Sequence, residues 1–161
     1  MLSNYIHLHL HSEYSISDSI VRINSLIEKA YEYDMPSVAV TDKNNMFAMV
    51  KFYKKAIENG IKPILGVDLN IERLHSPKSF SAVVLCKNIS GYKNLSRIIT
   101  NSYSRLNQSK SFSASLNDLQ EFKDGLIILS GGVNGELSDA MRLGKKDAIE
   151  DIISFWSKNF Q

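Results

Sequence analysis

Tyr5-Ile6-His7-Leu8-His9-Leu10-His11 is the stretch that decides the reading of this chain. Apolar and imidazole side chains alternate with period two, the signature of a β-strand. On a strand, residues i, i+2 and i+4 share a face. The pattern therefore predicts three imidazoles on one side, with Leu8 and Leu10 on the other. Three of the protein's four histidines fall in the five residues from His7 to His11. Histidine is the commonest metal ligand, so the cluster marks a candidate metal site. A single histidine placed by chance on a half-exposed strand carries no such meaning.

Outward from this segment, strands and helices take turns. Ser12 to Ser19 is a polar loop holding four serines and two carboxylates, Glu13 and Asp18. Val21 to Tyr33 is expected to be a helix, with Ile23, Leu26, Ile27 and Ala30 on one stripe. Asp34-Met35-Pro36 ends it, because the residue before proline is pushed out of helical geometry. Ser37–Val40 reads as a second strand and Thr41–Asn45 as the loop after it. Met46–Asn59 reads as a helix closed by Gly60. Ile61–Leu69 reads as a third strand. This strand-loop-helix alternation predicts an α/β fold with parallel strands.

Further on, Phe80–Cys86 is expected to be a strand and Gly91–Leu106 a helix. Residues 107–115 form a serine-rich loop, and Ser115 caps a short helix reaching Phe122. Gly125–Leu129 is a strand, Ser130-Gly131-Gly132 a tight turn, and 135–143 and 145–159 are closing helices. Four or five strands are too few for a closed (β/α) barrel, which takes about 200 to 250 residues. The strand count therefore suits a fragment or truncated product of a longer chain.

Composition narrows the function. With 43% hydrophobic and 22% charged residues, the chain is an ordinary globular one. A net charge of +2 gives no strongly basic nucleic-acid surface. The single cysteine, Cys86, can form neither an internal disulfide nor a cysteine zinc cluster. Met1–Tyr5 shows no targeting segment, and no apolar run approaches a membrane span of about 18 to 20 residues. The expected location is the cytoplasm, with no membrane partner.

Catalytic chemistry is expected at strand ends, where α/β folds place their sites. Glu13 and Asp18 follow the first strand, Asp42 the second, and Asp68 falls at the end of the third. Taken singly, each aspartate is a helix cap or turn residue. Together with the imidazoles they suit a cluster of divalent metals.

The order of motifs resembles one family closely. His7 to Ser15 is similar to the opening motif of the PHP (polymerase and histidinol phosphatase) domain, in the form that begins bacterial DNA polymerase III alpha subunits. Met35–Asp42, Val50–Tyr53, Gly60–Gly66, Gly91–Leu95 and Gly125–Gly132 match further alpha-subunit signatures in register. The resemblance implies an α/β fold of the PHP type, a distorted (β/α) barrel incomplete in this fragment, as one PHP domain over residues 1–161, with the C-terminal strands and the polymerase domains lying outside the chain. It places the family's metal ligands on His9, His11, Asp18 and Asp68, with His7 and Asp42 nearby.

Two ligand positions depart from the family pattern. The usual Thr-Asp-His reads Thr41-Asp42-Lys43, and the usual Ser-Gly-Cys reads Ser130-Gly131-Gly132. An ammonium has no lone pair to give a metal, and glycine has no side chain. Lys43 either points into solvent or stands in for the lost cation by pairing with Asp18, Asp42 and Asp68, and in the second case Lys43→Ala lowers the melting temperature. In either case the metal set is vestigial, and no cofactor is expected on this chain. The resemblance further implies a part in DNA replication by a DNA-directed DNA polymerase that uses Mg2+. It implies a non-catalytic domain that scaffolds the polymerase and docks the proofreading exonuclease subunit, beside other holoenzyme subunits, with DNA held by the domains elsewhere. The alternative is a metal-dependent phosphoesterase or 3′–5′ exonuclease with a reduced Zn2+ or Mn2+ site.

Overall fold

The computed structural model describes residues 5–73, 76–106 and 112–160. The reading of Met1–Asn4 and that of 107–111 as an exposed loop lie outside the described residues. In chain order the elements are α1 (Ile23–Glu32), β1 (Ser37–Lys43), α2 (Met49–Glu58), β2 (Lys62–Arg73), β3 (Ser76–Cys86), α3 (Ile89–Arg105), α4 (Leu116–Glu121), β4 (Leu126–Ser130), α5 (Glu136–Arg142) and α6 (Lys146–Asn159). Short 3-10 turns lie at Glu13–Ser15 and Gly132–Asn134. The fold is α/β, with one four-stranded sheet in the order β1-β2-β3-β4. The chain divides into two compact units, and the boundary falls inside β2, after Val67.

In the first unit, α1 and α2 each bury one stripe. Ile23, Ile27 and Ala30 of α1 meet Phe52 and Ala56 of α2 in a core completed by Val38, Val40, Ala48 and Ile61. Every residue of β1 from Ser37 to Asp42 is buried, so this strand has both faces covered. Gly60 ends α2 with a positive φ of 70°, as expected of a helix-closing glycine.

In the second unit, Ala82–Leu85 of β3 is likewise a continuous buried run. Leu69 and Ile71 of β2, Leu95 and Ile98 of α3 and Leu119 of α4 are fully buried. The Ser115 hydroxyl caps α4 by accepting from the Asn117 amide at 3.1 Å.

Three expectations are corrected. The strands are not all parallel. β3 and β4 run antiparallel, with Ala82 opposite Ser130 and Cys86 opposite Leu126. β2 and β3 are sheet neighbours separated by two residues, a connection short enough only for antiparallel strands. Both are also longer than predicted, so Asp68 sits in mid-strand rather than at a strand end, and Asp42 lies within β1 rather than after it.

The third correction concerns Tyr5–His11, which is extended beside β1 but is not a regular strand. The Ala39 amide donates to His7 O at 2.9 Å and the Thr41 amide to Leu10 O at 2.8 Å. Three steps along one segment thus match two along β1, an irregularity of the bulge type. The Leu10 amide turns instead to the Thr41 hydroxyl, 2.9 Å away. Strict alternation fails because a side chain has taken the place of a ladder bond.

Candidate functional site

The extra residue between His7 and Leu10 separates the imidazoles. His7 packs edge-on against Tyr5, ring centroids 4.7 Å apart. His9 and His11 turn toward each other, with their Nε2 atoms 3.3 Å apart. The three histidines therefore do not act as one row, and the structure pairs only the last two.

His11 is held from both ends. Its carbonyl accepts from the Ser19 hydroxyl at 2.7 Å. Its Nδ1 faces Asp18 Oδ2 at 3.8 Å, and the same carboxylate oxygen meets Lys43 Nζ at 3.2 Å. Lys43, Asp18, His11 and His9 thus form a chain of polar groups, each touching the next. The lysine and aspartate side chains are 45% and 34% exposed, so water screens their attraction.

Asp42 has a different role from the one expected. It is buried, and its carboxylate accepts from the Ser12 amide at 2.6 Å, the Ser12 hydroxyl at 2.7 Å and the Ser15 hydroxyl at 2.7 Å. The Ser15 hydroxyl in turn accepts from the Lys43 amide at 3.0 Å. These bonds tie the 3-10 turn to β1. Of the carboxylates in this unit, Asp18 is the one that Lys43 pairs with, and Asp42 is satisfied by serines. Glu13 pairs with Lys51 at 3.3 Å, and Lys51 also lies over the Tyr14 ring. Asn45 closes the arrangement by donating to the Tyr14 and Lys43 carbonyls at 3.2 and 2.9 Å.

In the second unit, Asp68 is buried on β2 and accepts from the Ser81 hydroxyl of β3. Gly131 allows the turn after β4 to press on β3, since a Cβ there would lie 1.7 Å from the Ser81 carbonyl oxygen. Gly132 has a φ of +55°, a conformation that strains any L side chain. A cysteine ligand at this position would have to overcome that strain.

Ser12, Ser15, Asn45 and Ser81 are the supporting residues that sequence reasoning missed. The first two stood in a stretch read only as a polar loop. Their signal was the Ser-x-x-Ser spacing at a turn.

The geometry tests whether a metal suits the residues present. Two nitrogens on a tetrahedral zinc, each at about 2.0–2.1 Å, would be about 3.4 Å apart. The His9–His11 separation fits one such edge. Lys43 sets an ammonium, which cannot ligate, against Asp18, and this opposes a second cation at that carboxylate. Asp18 also faces the Nδ1 side of His11, where a carboxylate orients an imidazole rather than sharing its metal.

Residues 7–161 match the model of the PHP domain, and the chain belongs to that family. Its particular likeness is to DNA polymerase III subunit alpha. Identity is 35% over 158 residues with the protein of Buchnera aphidicola from Acyrthosiphon pisum, covering 97% of this chain and 14% of that protein. It is 37% over 161 residues with that of Pseudomonas fluorescens, covering 99% and 14%. It is 33% over 157 residues with that of Escherichia coli K12, covering 97% and 14%. The chain therefore spans about a seventh of the length of the curated relatives it matches. Among solved structures, an amidohydrolase from Chromobacterium violaceum aligns with a TM-score of 0.45 and 22% identity, over 64% of this chain and 36% of that one. Among the described residues, no helix is long and apolar enough to cross a membrane.

Proposed function

We propose that this chain is the N-terminal PHP portion of a bacterial replicative DNA polymerase III alpha subunit, and that it acts in DNA replication as a non-catalytic scaffold docking the proofreading exonuclease subunit. The family assignment rests on identity of 33–37% with alpha subunits over 97–99% of this chain. The observation that carries the non-catalytic reading is the Lys43–Asp18 pair at 3.2 Å. It sets a fixed cation, which cannot ligate, against the carboxylate of the ligand motif. Nucleotide addition with Mg2+, the grip on DNA and the contacts with other holoenzyme subunits belong to the rest of such a polymerase. The site of action is the cytoplasm.

The His9–His11 edge favours one second reading, a phosphoesterase or 3′–5′ exonuclease with a reduced Zn2+ or Mn2+ site built on His9 and His11. Metal analysis of the purified chain after incubation with Zn2+ and Mn2+, combined with hydrolysis of a phosphodiester reporter, separates the two. The scaffold reading expects metal well below one equivalent and no chelator-sensitive hydrolysis. One equivalent of metal together with hydrolysis abolished by EDTA would establish the second reading instead.

A further inference from the structure

The second unit holds a cavity that none of the chemistry above uses. It lies between the β3–β4 pair and the α5–α6 pair, with a volume of about 200 Å³. Ile128 of β4, Leu137 of α5 and Ile152 of α6 supply apolar walls, and Phe80 and Trp156 add two aromatic rings. Helix α6 covers this space without sealing it. Ile152 and Trp156, four positions apart and so on one face, stay half-buried, and no residue of the helix is fully buried. A cavity of about 150 Å³ with walls of this kind stays dry and takes up benzene. The larger space here has room for a ligand of roughly eight non-hydrogen atoms on the same scale.

The cavity has one ionisable wall group. Glu136, the first residue of α5, lines it, and no lysine, arginine or histidine among the described residues does. Glu136 is half-buried, and its Oε2 accepts from the Trp156 indole N–H at 3.2 Å. Phe80 in turn meets that indole edge-on, ring centroids 5.9 Å apart and planes at 86°. The carboxylate is thus oriented by a packed ring. An ionised carboxylate accepts about four hydrogen bonds, so one from the indole leaves it capacity for a ligand.

A fixed charge in an apolar cavity selects its ligand. An anion would meet Glu136 with no cation to offset it. A neutral hydrocarbon would strip water from the carboxylate and leave it unpaired. An ammonium gives the carboxylate a charge-assisted hydrogen bond, and the faces of Phe80 and Trp156 attract it as well. One carboxylate balances one charge, so a polyamine would bring further charges into apolar surroundings without partners.

We propose that this cavity binds a compact monoamine, with its ammonium on Glu136 and its hydrocarbon body among Ile128, Leu137, Ile152 and the two rings. The proposal does not rest on the replication reading. The chain contains one tryptophan, so its fluorescence reports on this cavity. The test titrates the whole chain at about pH 7.5, where a primary amine is charged, with 2-phenylethylamine, 2-phenylethanol and 3-phenylpropionate. The amine should shift Trp156 emission saturably. The alcohol should bind at least about tenfold more weakly, and the carboxylate should not saturate. Glu136→Gln should bring the amine down to the alcohol's affinity while leaving the alcohol within about twofold. Ile152→Phe, which fills the cavity, should abolish the response to both, and circular dichroism checks that each variant keeps its fold. Absence of a saturable response to the amine overturns the proposal. Equal binding of amine and alcohol does so too, since the cavity would then be a simple apolar void. Undiminished amine binding by Glu136→Gln would put the ammonium elsewhere and likewise overturn it.

Discussion

Asp42 and Ser12, thirty residues apart in sequence, are joined twice: the Ser12 amide donates to Asp42 Oδ1 at 2.6 Å and the Ser12 hydroxyl to Oδ2 at 2.7 Å. Ser15 adds a third bond to the same carboxylate. The group is 1% exposed, so its charge is balanced by oriented donors rather than by water. Hydrogen bonds to a charged acceptor contribute more than neutral ones, and removing the acceptor strands buried donors. Asp42→Ala should therefore destabilise the chain by about 3 kcal/mol. Asp42→Asn should cost somewhat less, since it keeps one acceptor but turns an NH2 group toward donors. Urea unfolding of the two variants measures both. A loss below about 0.5 kcal/mol for Asp42→Ala would show that the knot does not hold the 3-10 turn to β1.

Lys43→Ala should have a small effect, contrary to the second of the two readings that the sequence left open. The ammonium meets Asp18 alone among the carboxylates of its unit, and both side chains are a third or more exposed. A pair of this kind contributes less than about 1 kcal/mol. A double-mutant cycle with Asp18→Ala should give a coupling of that size at low salt. The coupling should fade as NaCl approaches about 1 M, where the screening length falls to about 3 Å. A coupling above 2 kcal/mol that persists in high salt would mean that the pair is effectively desolvated.

Cys86 should be a slow thiol in the folded chain. Burial alone pushes its pKa up, from an ordinary 9.0 to about 11. Only the thiolate reacts, so at pH 8 the reactive fraction falls about a hundredfold relative to an unshifted cysteine. Alkylation by iodoacetamide at pH 8 should be slower by about that factor in native protein than in urea. The sign for stability follows. The folded state holds its proton more tightly, so this contribution is complete below pH 9 and is lost as pH rises toward 11. Stability should therefore decline between pH 9 and 11, and Cys86→Ala should remove that part of the decline.

Much of the fold was legible in the sequence because single-element signals suffice for it. α1 and α2 were visible as apolar stripes, and the buried strands as short apolar runs at Ser37–Val40 and Ala82–Leu85. The far end of β2 was missed, although the alternation Leu69-Asn70-Ile71-Glu72 carried it and burial there alternates in step. The site was less legible, because its organisation depends on residues far apart in the chain. His7-x-His9-x-His11 carries a strand pattern, yet the Thr41 hydroxyl captures the Leu10 amide and breaks the row. Local pattern cannot show that a side chain thirty-one residues away will compete for a ladder bond. Nor could it show that serines, rather than Lys43, would satisfy Asp42.

Ile16 offers a test of how the loop between the 3-10 turn and α1 is held. Its φ is +55° with ψ −82°, outside the regions that L side chains adopt readily, and its side chain is 86% exposed. A β-branched residue at such angles is strained, at a cost of about 1–2 kcal/mol. The exposed side chain gains little packing in return. The conformation is imposed from outside: the Ile16 amide donates to the Glu13 carbonyl, the Asp18 amide to that of Ser15, and Ser15 is anchored on Asp42. Glycine, having no Cβ, adopts such angles with far less strain than a β-branched residue. Ile16→Gly should therefore stabilise the chain by about 0.5 kcal/mol, the relieved strain being partly offset by glycine's freedom in the unfolded chain, and should raise the urea midpoint without changing the slope of the transition. The gain should shrink in an Asp42→Ala background, where the anchor that enforces the strained conformation is gone. Equal gains in both backgrounds would show that the positive φ is set locally by the turn and owes nothing to the Asp42 knot.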